Sequence, residues 1–510
     1  MNIQRDRPSP FAGPSRLAPI FLLAILWAAP PAQADVPPLQ IPAVVHAHST
    51  WSTGEQSLEQ LQSLAKARGV QAVFLSENLL QQFEYGLPPF RALLRHRVVY
   101  PSLLQRDPGT FLAAVRQLNA QQPDVLFIPG AETTPHYYWT GSLLNGSLTM
   151  HSGQKNILAL GLQRPEDYAR LPVIGNPGTA RWGWQSPALL LLPLLLFALG
   201  AWLFTRHRER VIHLQRFRVA QRRRPALLAL LCCAGSVALF LNNYPFQVPA
   251  LDPYTRAPGP RPYQSVIDYV NQLGGMSVWS LPEARDYQVV QVAGLKATIR
   301  TEPYAEDLLK TDGFTAFGGV YEDTTTFTAP GGGWDRLLLD YLAERRRTPA
   351  WAIGEAAYHQ EGQAGKRFGE VQTVVLAARR DPVSLLEAVK SGRTYALRRT
   401  VEAGLVLAQF QVSAPGETPA ESGGRLTLPP GALPVVHAII QTATPSPISV
   451  VARVIRSGSP VYSVTGETPL ALTWQDAAPL LSAPSYYRLE VQGPPGHQIL
   501  SNPIFVTSVP

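Results

Sequence analysis

Apolar positions along residues 35–172 fall into two alternating patterns. Short unbroken apolar runs at Val70–Leu75, Val125–Ile128 and Asn156–Leu162 read as buried strands. Between them, Leu58–Ala67 and Phe111–Asn119 place apolar residues at helical spacing. This alternation predicts a parallel α/β arrangement. A Pro- and Tyr-rich stretch, 242–262, separates it from a second region of the same kind. There Tyr263–Leu273 and Trp334–Glu344 read as helices, and Gly275–Trp279, Phe314–Val320 and Ala350–Gly354 as strands. From about residue 401 the helical spacing disappears. Leu405–Val412, Val435–Gln441, Ile448–Ile455, Tyr486–Val491 and Pro503–Thr507 are strand-like runs punctuated by Pro, Gly and Ser, which predicts a small all-β sandwich over 401–510.

Two longer runs break the α/β pattern. Pro187–Phe204 and Pro225–Leu241 carry no charge and are about long enough to span a bilayer core. Between them, Arg206–Arg224 holds eight arginines against the single acid Glu209. That segment accounts for nearly all of the net charge of +8, which therefore points to membrane topology and not to nucleic acid. Positive residues stay on the cytoplasmic side, so the first span (187–204) runs inward, 205–224 is a cytoplasmic loop, and the second span (225–241) runs outward. The N-terminus agrees. Arg5, Arg7 and Arg16 precede the apolar run Leu17–Ala29, and Ala32-Gln33-Ala34 is an A-x-A cleavage pattern, so residues 1–34 read as a signal peptide. Cleaved or retained, it leaves 35–186 and 242–510 outside, on the extracytoplasmic (periplasmic) face of the cell membrane. The helix pair then becomes an insertion in one α/β domain formed by 35–186 and 242–400; two separate small domains is the competing arrangement. The two cysteines, Cys232 and Cys233, are adjacent within the second span, which leaves the exported parts without disulfides or thiolate chemistry.

The sharpest chemical feature is His46-Ala47-His48, at the end of the apolar run Ile41–Val45. Side chains two apart on a strand share a face, so both imidazoles can ligate one metal or two adjacent ones. Alone the pattern is weak, because paired histidines at a strand end are often structural. Gly331-Gly332-Gly333 lacks the Lys-Ser/Thr that completes a phosphate loop and reads as a turn before the Trp334 helix. His136 and His151 lie in a Tyr-, Trp- and Gly-rich stretch and read as loop residues.

The segment VVHAHSTWSTGEQSLEQLQSLAKARGVQAVFLSEN, from Val44 to Asn78, resembles the first motif of the polymerase-and-histidinol-phosphatase (PHP) superfamily. The resemblance continues in IPGAETT (Ile128–Thr134), GGMSVWSLPEA (Gly274–Ala284) and AIGEAAYH (Ala352–His359). The ending SNPIFV (Ser501–Val506) is similar to the tail of a membrane-associated branch with a C-terminal β-sandwich. The resemblance implies a distorted (β/α)7 barrel, here interrupted by a transmembrane hairpin, that binds up to three divalent metals at the strand ends and hydrolyses phosphoesters or related esters.

By that resemblance His46, His48, Glu132 and His359 are the metal ligands, with Glu77 assisting. Five positions depart from the family pattern: Thr53 for an aspartate, Asn78 within an Asp-His pair, Asn156 and Ser280 for histidines, and Ala357 for an aspartate. Neutral amides are weak ligands and alanine is none, so the site is expected to hold fewer than three ions of manganese, zinc or iron, down to none. No catalytic side chain is assigned beyond a metal-bound hydroxide. Two functions follow: a membrane-anchored metal-dependent phosphoesterase, or a catalytically silent relative serving as a binding or assembly module. The expected partners are the lipid bilayer and an unidentified ester substrate or protein, with no nucleic acid.

Overall fold

The computed structural model describes residues 38–508, except 144, 207, 215–216, 224, 256–257, 293, 324, 401–403 and 479–483. The signal peptide expected at 1–34 lies outside the described residues.

Most expected elements form, with ends shifted by one or two residues. Leu58–Ala67 is a helix whose Ser57 cap and Gln60 complete a capping box, and its buried stripe is Leu58, Leu61 and Ala65. Phe111–Asn119 lies within the longer helix Pro108–Gln121, capped by Asp107. Pairing departs from the expectation of a parallel arrangement. Strand Leu39–Ala47 runs parallel to Ala72–Leu75, which runs parallel to Leu126–Ile128, but on its other side it pairs antiparallel with Val371–Ala377. In a second sheet of six strands, Ile157–Leu160 is antiparallel to both Gly130–Thr133 and Met276–Trp279, while Met276–Trp279, Ala316–Val320 and Trp351–Gly354 are parallel. The fold is therefore mixed α/β. These antiparallel neighbours are not joined by short returns but lie far apart in the chain, two of the pairs on opposite sides of the apolar insertion, so no local connection announces their direction.

Segments before and after the apolar insertion share both sheets. Backbone hydrogen bonds also join the two sheets where the first strand ends: Ala356 donates to Val45, Tyr358 to His46, and His48 to Tyr358, each at 2.9 Å. This seam sets the site.

The C-terminal strands continue the first sheet, because Gln498–Ser501 pairs with Thr394–Arg398. Residues alternate along this shared sheet. On Val371–Ala377, Val371, Val375 and Ala377 face the α/β core, whereas Val374 and Leu376 face the core beneath the C-terminal antiparallel sheet. Asp335 and Arg488, both fully buried, lock the joint through two 2.8 Å contacts. Gly331 N–H donates to the same carboxylate, so the triple-glycine turn meets an anion supplied by its own helix.

The insertion leaves and returns at one point, where Arg181 and Val248 exchange backbone hydrogen bonds. Helices Ser186–Thr205 and Ala226–Asn243 are long and apolar enough to cross a membrane, and only 11% of each apolar window is buried. Pro193 lacks an N–H and frees the carbonyl of Leu189, which accepts from Asn243 Nδ2 at 2.9 Å on the partner helix. Gly200 lets the helices approach, since a Cβ there would lie 2.6 Å from Cys233 Sγ. The arginine-rich connection, expected as a loop, forms a two-stranded ribbon, Arg208–Leu214 with Phe217–Arg223.

Candidate metal centre

His46 does not sit in regular strand. Its φ is +70°, and the pairing with Ala72–Leu75 slips between Val45 and Ala47. The simple alternation expected for the two histidines is thus broken by a bulge, and this bulge turns both rings inward. His46 Nε2 and His48 Nε2 lie 3.1 Å apart. Glu132, from strand Gly130–Thr133, places one oxygen 3.4 Å from His46 Nε2 and the other 3.5 Å from His48 Nε2. These three form a group able to hold a metal ion. A tetrahedral ion about 2.0–2.1 Å from its donors would set them roughly 3.3 Å apart, which is the spacing found.

The outer nitrogens are both occupied. His46 Nδ1 donates to Glu355 Oε1 at 2.6 Å, and His48 Nδ1 lies 3.2 Å from Ser52 Oγ. This fixes the tautomers so that Nε2 faces the centre. Glu355 is completely buried and also accepts from Ser280 Oγ (2.6 Å) and from the N–H of Leu281 (2.9 Å). It was missed in the sequence although it lies in the quoted segment Ala352–His359. Its signal was an acid directly following the fully apolar strand Trp351–Gly354.

The remaining expected residues divide clearly. His359 stacks on His48 with ring centroids 4.0 Å apart, and its Nδ1 is 3.0 Å from Thr53 Oγ1. It joins the site from beyond the insertion but stands beside the three-residue group. Glu77 is held away from that group. Its carboxylate accepts from Ser49 N–H at 2.9 Å and from the hydroxyls of Ser49 and Ser52 at 2.5 Å each, so it anchors the loop carrying His48. The neutral positions hydrogen-bond within the same network. Asn156 Nδ2 donates to Glu132 at 2.6 Å, Asn78 Nδ2 to Thr53 at 3.0 Å, and Ser280 to Glu355. Ala357 lines the pocket with a φ of +42°.

Burial disfavours charge on His46, but Glu132 and Glu355 outweigh it and raise its pKa to about 9. Burial, together with the positive fields of His359, His46 and Lys366, holds His48 well below its usual value. His359 falls to about 4, through burial only partly offset by Glu132. Burial also opposes ionisation of Glu132, yet His46 keeps its pKa below the ordinary carboxylate value. Burial lifts Glu77 to about 7 against the serine hydrogen bonds.

A cavity of about 360 Å³ opens over this centre and is lined by His46, Glu132, Asn156, His359 and Lys366 among others. The Lys366 ammonium, which donates to the carbonyls of Ala356 and Ala357, supplies a cation to its wall. A neighbouring hollow continues from it, floored by Phe83, Tyr100, Met150 and Ile299 and edged by glutamines.

No known protein-family profile matches the chain, and no curated protein does. Solved structures are similar, three of them as follows. A two-domain protein from Bacteroides vulgatus, described as containing a predicted PHP-like metal-dependent phosphoesterase, aligns over 92% of this chain and 95% of its own, with 11% identity and a TM-score of 0.35. A protein from Bifidobacterium adolescentis, described as a candidate metal-dependent phosphoesterase, aligns over 65% of this chain and 92% of its own, with 11% identity and a TM-score of 0.27. An amidohydrolase from Chromobacterium violaceum, with bound sulfate and no metal, aligns over 64% of this chain and 90% of its own, at 12% identity and a TM-score of 0.27. Scores this low describe a loosely shared arrangement of elements and do not say what the chain does.

Proposed function

We propose that this protein is a membrane-anchored, outward-facing, metal-dependent hydrolase of phosphoester or related ester bonds, built on a distorted PHP-type barrel. The observation that carries the reading is the convergence of His46 Nε2, His48 Nε2 and the Glu132 carboxylate at spacings suited to one divalent ion. His46, His48 and Glu132 would hold it, with His359 stacked on His48 beside the group. A bound manganese, zinc or iron ion supplies a Lewis acid that polarises an ester oxygen and makes water acidic enough to attack near neutral pH. The chain's own groups do the rest. Glu355 and Ser52 orient the imidazoles, Lys366 attracts an anionic ester, and Asn156 steadies Glu132. The exposed apolar helix pair supports the membrane anchor, and the arginine-rich ribbon between the helices supports its orientation.

A second reading, a catalytically silent binding module, draws on the neutral network of Asn78, Asn156 and Ser280 at positions where the family carries ligands. Metal analysis of the purified full chain separates the two. The hydrolase reading expects about one equivalent of metal, lost in His48→Ala together with turnover of bis(p-nitrophenyl) phosphate. A chain that takes up no metal under manganese, zinc or iron supplementation leaves the silent module standing.

A further inference from the structure

We infer that the hairpin Gln82–Gly86/Arg95–Val99 seats its tip in the lipid headgroup layer and so opens the metal pocket to the headgroup of an anionic membrane lipid; this rests on the membrane-anchored reading above. The two ends of the hairpin face different surroundings. At its base, Phe83 and Tyr100 line the hollow that also contains His359. At its tip, Leu87, Leu93 and Leu94 are exposed, with Leu94 54% accessible. An exposed cluster of leucines on a two-stranded ribbon is costly in water.

The tip is tied to the end of the second apolar helix. The N–H of Ala92 donates to Asn242 Oδ1 at 2.8 Å, and Arg91 lies over the ring of Tyr254 at 3.8 Å. At that same end of the helix pair stand Trp182, Trp184 and Tyr244, exposed by 61%, 88% and 70%. Aromatic rings of this kind collect at the water–lipid boundary. The leucines therefore lie at the level where the helices would leave the bilayer. Arg91, Arg95 and Arg97 on the same ribbon face one acid, Glu84, which pairs with the last two, so the tip is net positive and complements anionic headgroups. Strand Gln82–Gly86 is five residues long, so the pocket and the tip are roughly 17 Å apart along the chain. A lipid headgroup can bridge much of that interval while its tails stay in the membrane.

The test uses the full chain in nanodiscs of phosphatidylglycerol and phosphatidylcholine, with p-benzoylphenylalanine introduced singly in place of Leu93, Tyr100 or Leu195. All three side chains are exposed, and at 100 the new aromatic ring takes the place of the Tyr100 ring that meets Phe83 edge to face. Light-driven capture of phosphatidylglycerol at 93 and 100, several-fold above phosphatidylcholine, is the expected result. Capture at 195 alone overturns the inference while leaving the membrane anchor in place. Capture at 93 but not at 100 also overturns it, because the pocket would then not be fed from the lipid. No capture at 195 removes the anchor itself.

Discussion

Glu355 receives a 2.6 Å hydrogen bond from His46 Nδ1, although 309 positions and two apolar helices separate the two residues in the chain. A carboxylate behind a ligating histidine fixes the ring and raises its basicity. Replacing Glu355→Gln keeps the shape and removes the charge. Metal affinity, measured by competition against a chelator, is expected to fall about 10- to 100-fold. Unchanged affinity would show that the pair serves only the fold.

Glu132, and after it Glu355, set the response of His46 to pH. His46 in the metal-free protein titrates near 9, above its unfolded value of 6.5. Its contribution to stability is therefore fully present below about pH 6.5 and is lost as pH rises through 9. A metal must displace the proton from Nε2, so binding at pH 7.5 is expected to release about one proton. Calorimetry in two buffers of different ionisation enthalpy measures this directly. Identical binding enthalpies would contradict a charged His46.

Asn156 donates to Glu132 in a place where an anionic ligand would strengthen a metal site. In Asn156→Asp the metal-free protein places two carboxylates in contact and loses a donor, so its melting temperature should drop. Added zinc or manganese should then raise that temperature by more than it does in the parent chain, because three anionic or imidazole donors become four. Parallel melting curves with and without metal test both halves. An equal gain in the two proteins counts against position 156 facing the ion.

Arg488 and Asp335 hold the joint between the α/β part and the C-terminal sheet, with Tyr486 donating to the same carboxylate at 2.6 Å. Arg488→Met leaves a buried aspartate without its partner and is expected to cost about 3–5 kcal/mol in denaturant unfolding. The double change Arg488→Met with Asp335→Leu should recover part of that loss, since the buried aspartate goes with the arginine and only the partly exposed Glu490 is left without its partner. A double variant as unstable as the single one would mean that shape, not charge, decides this joint.

The class of most elements was legible because local apolar spacing reports helix and strand faithfully wherever burial is one-sided. The helix Leu58–Ala67 is an example, whereas the strand Trp351–Gly354, buried on both faces, was legible as a short unbroken apolar run. The apolar helix pair was legible because length and composition are properties of the chain itself, whereas the arginine-rich connection, expected as a loop, pairs into a ribbon. Sheet direction was not, because pairing depends on which segments meet and not on what each one prefers.

For the site, the residue pattern marked His46 and His48, the family resemblance added Glu132, and tertiary structure decided that they converge. It did so through a bulge with positive φ at His46 that no periodicity announces. It also turned Glu77 toward Ser49 and Ser52, and it brought Glu355 and His359 across the insertion to the two histidines. Chemistry of this kind depends on distances of a few ångströms between residues hundreds of positions apart. Those distances are set by how two sheets meet, which is a property of the whole fold.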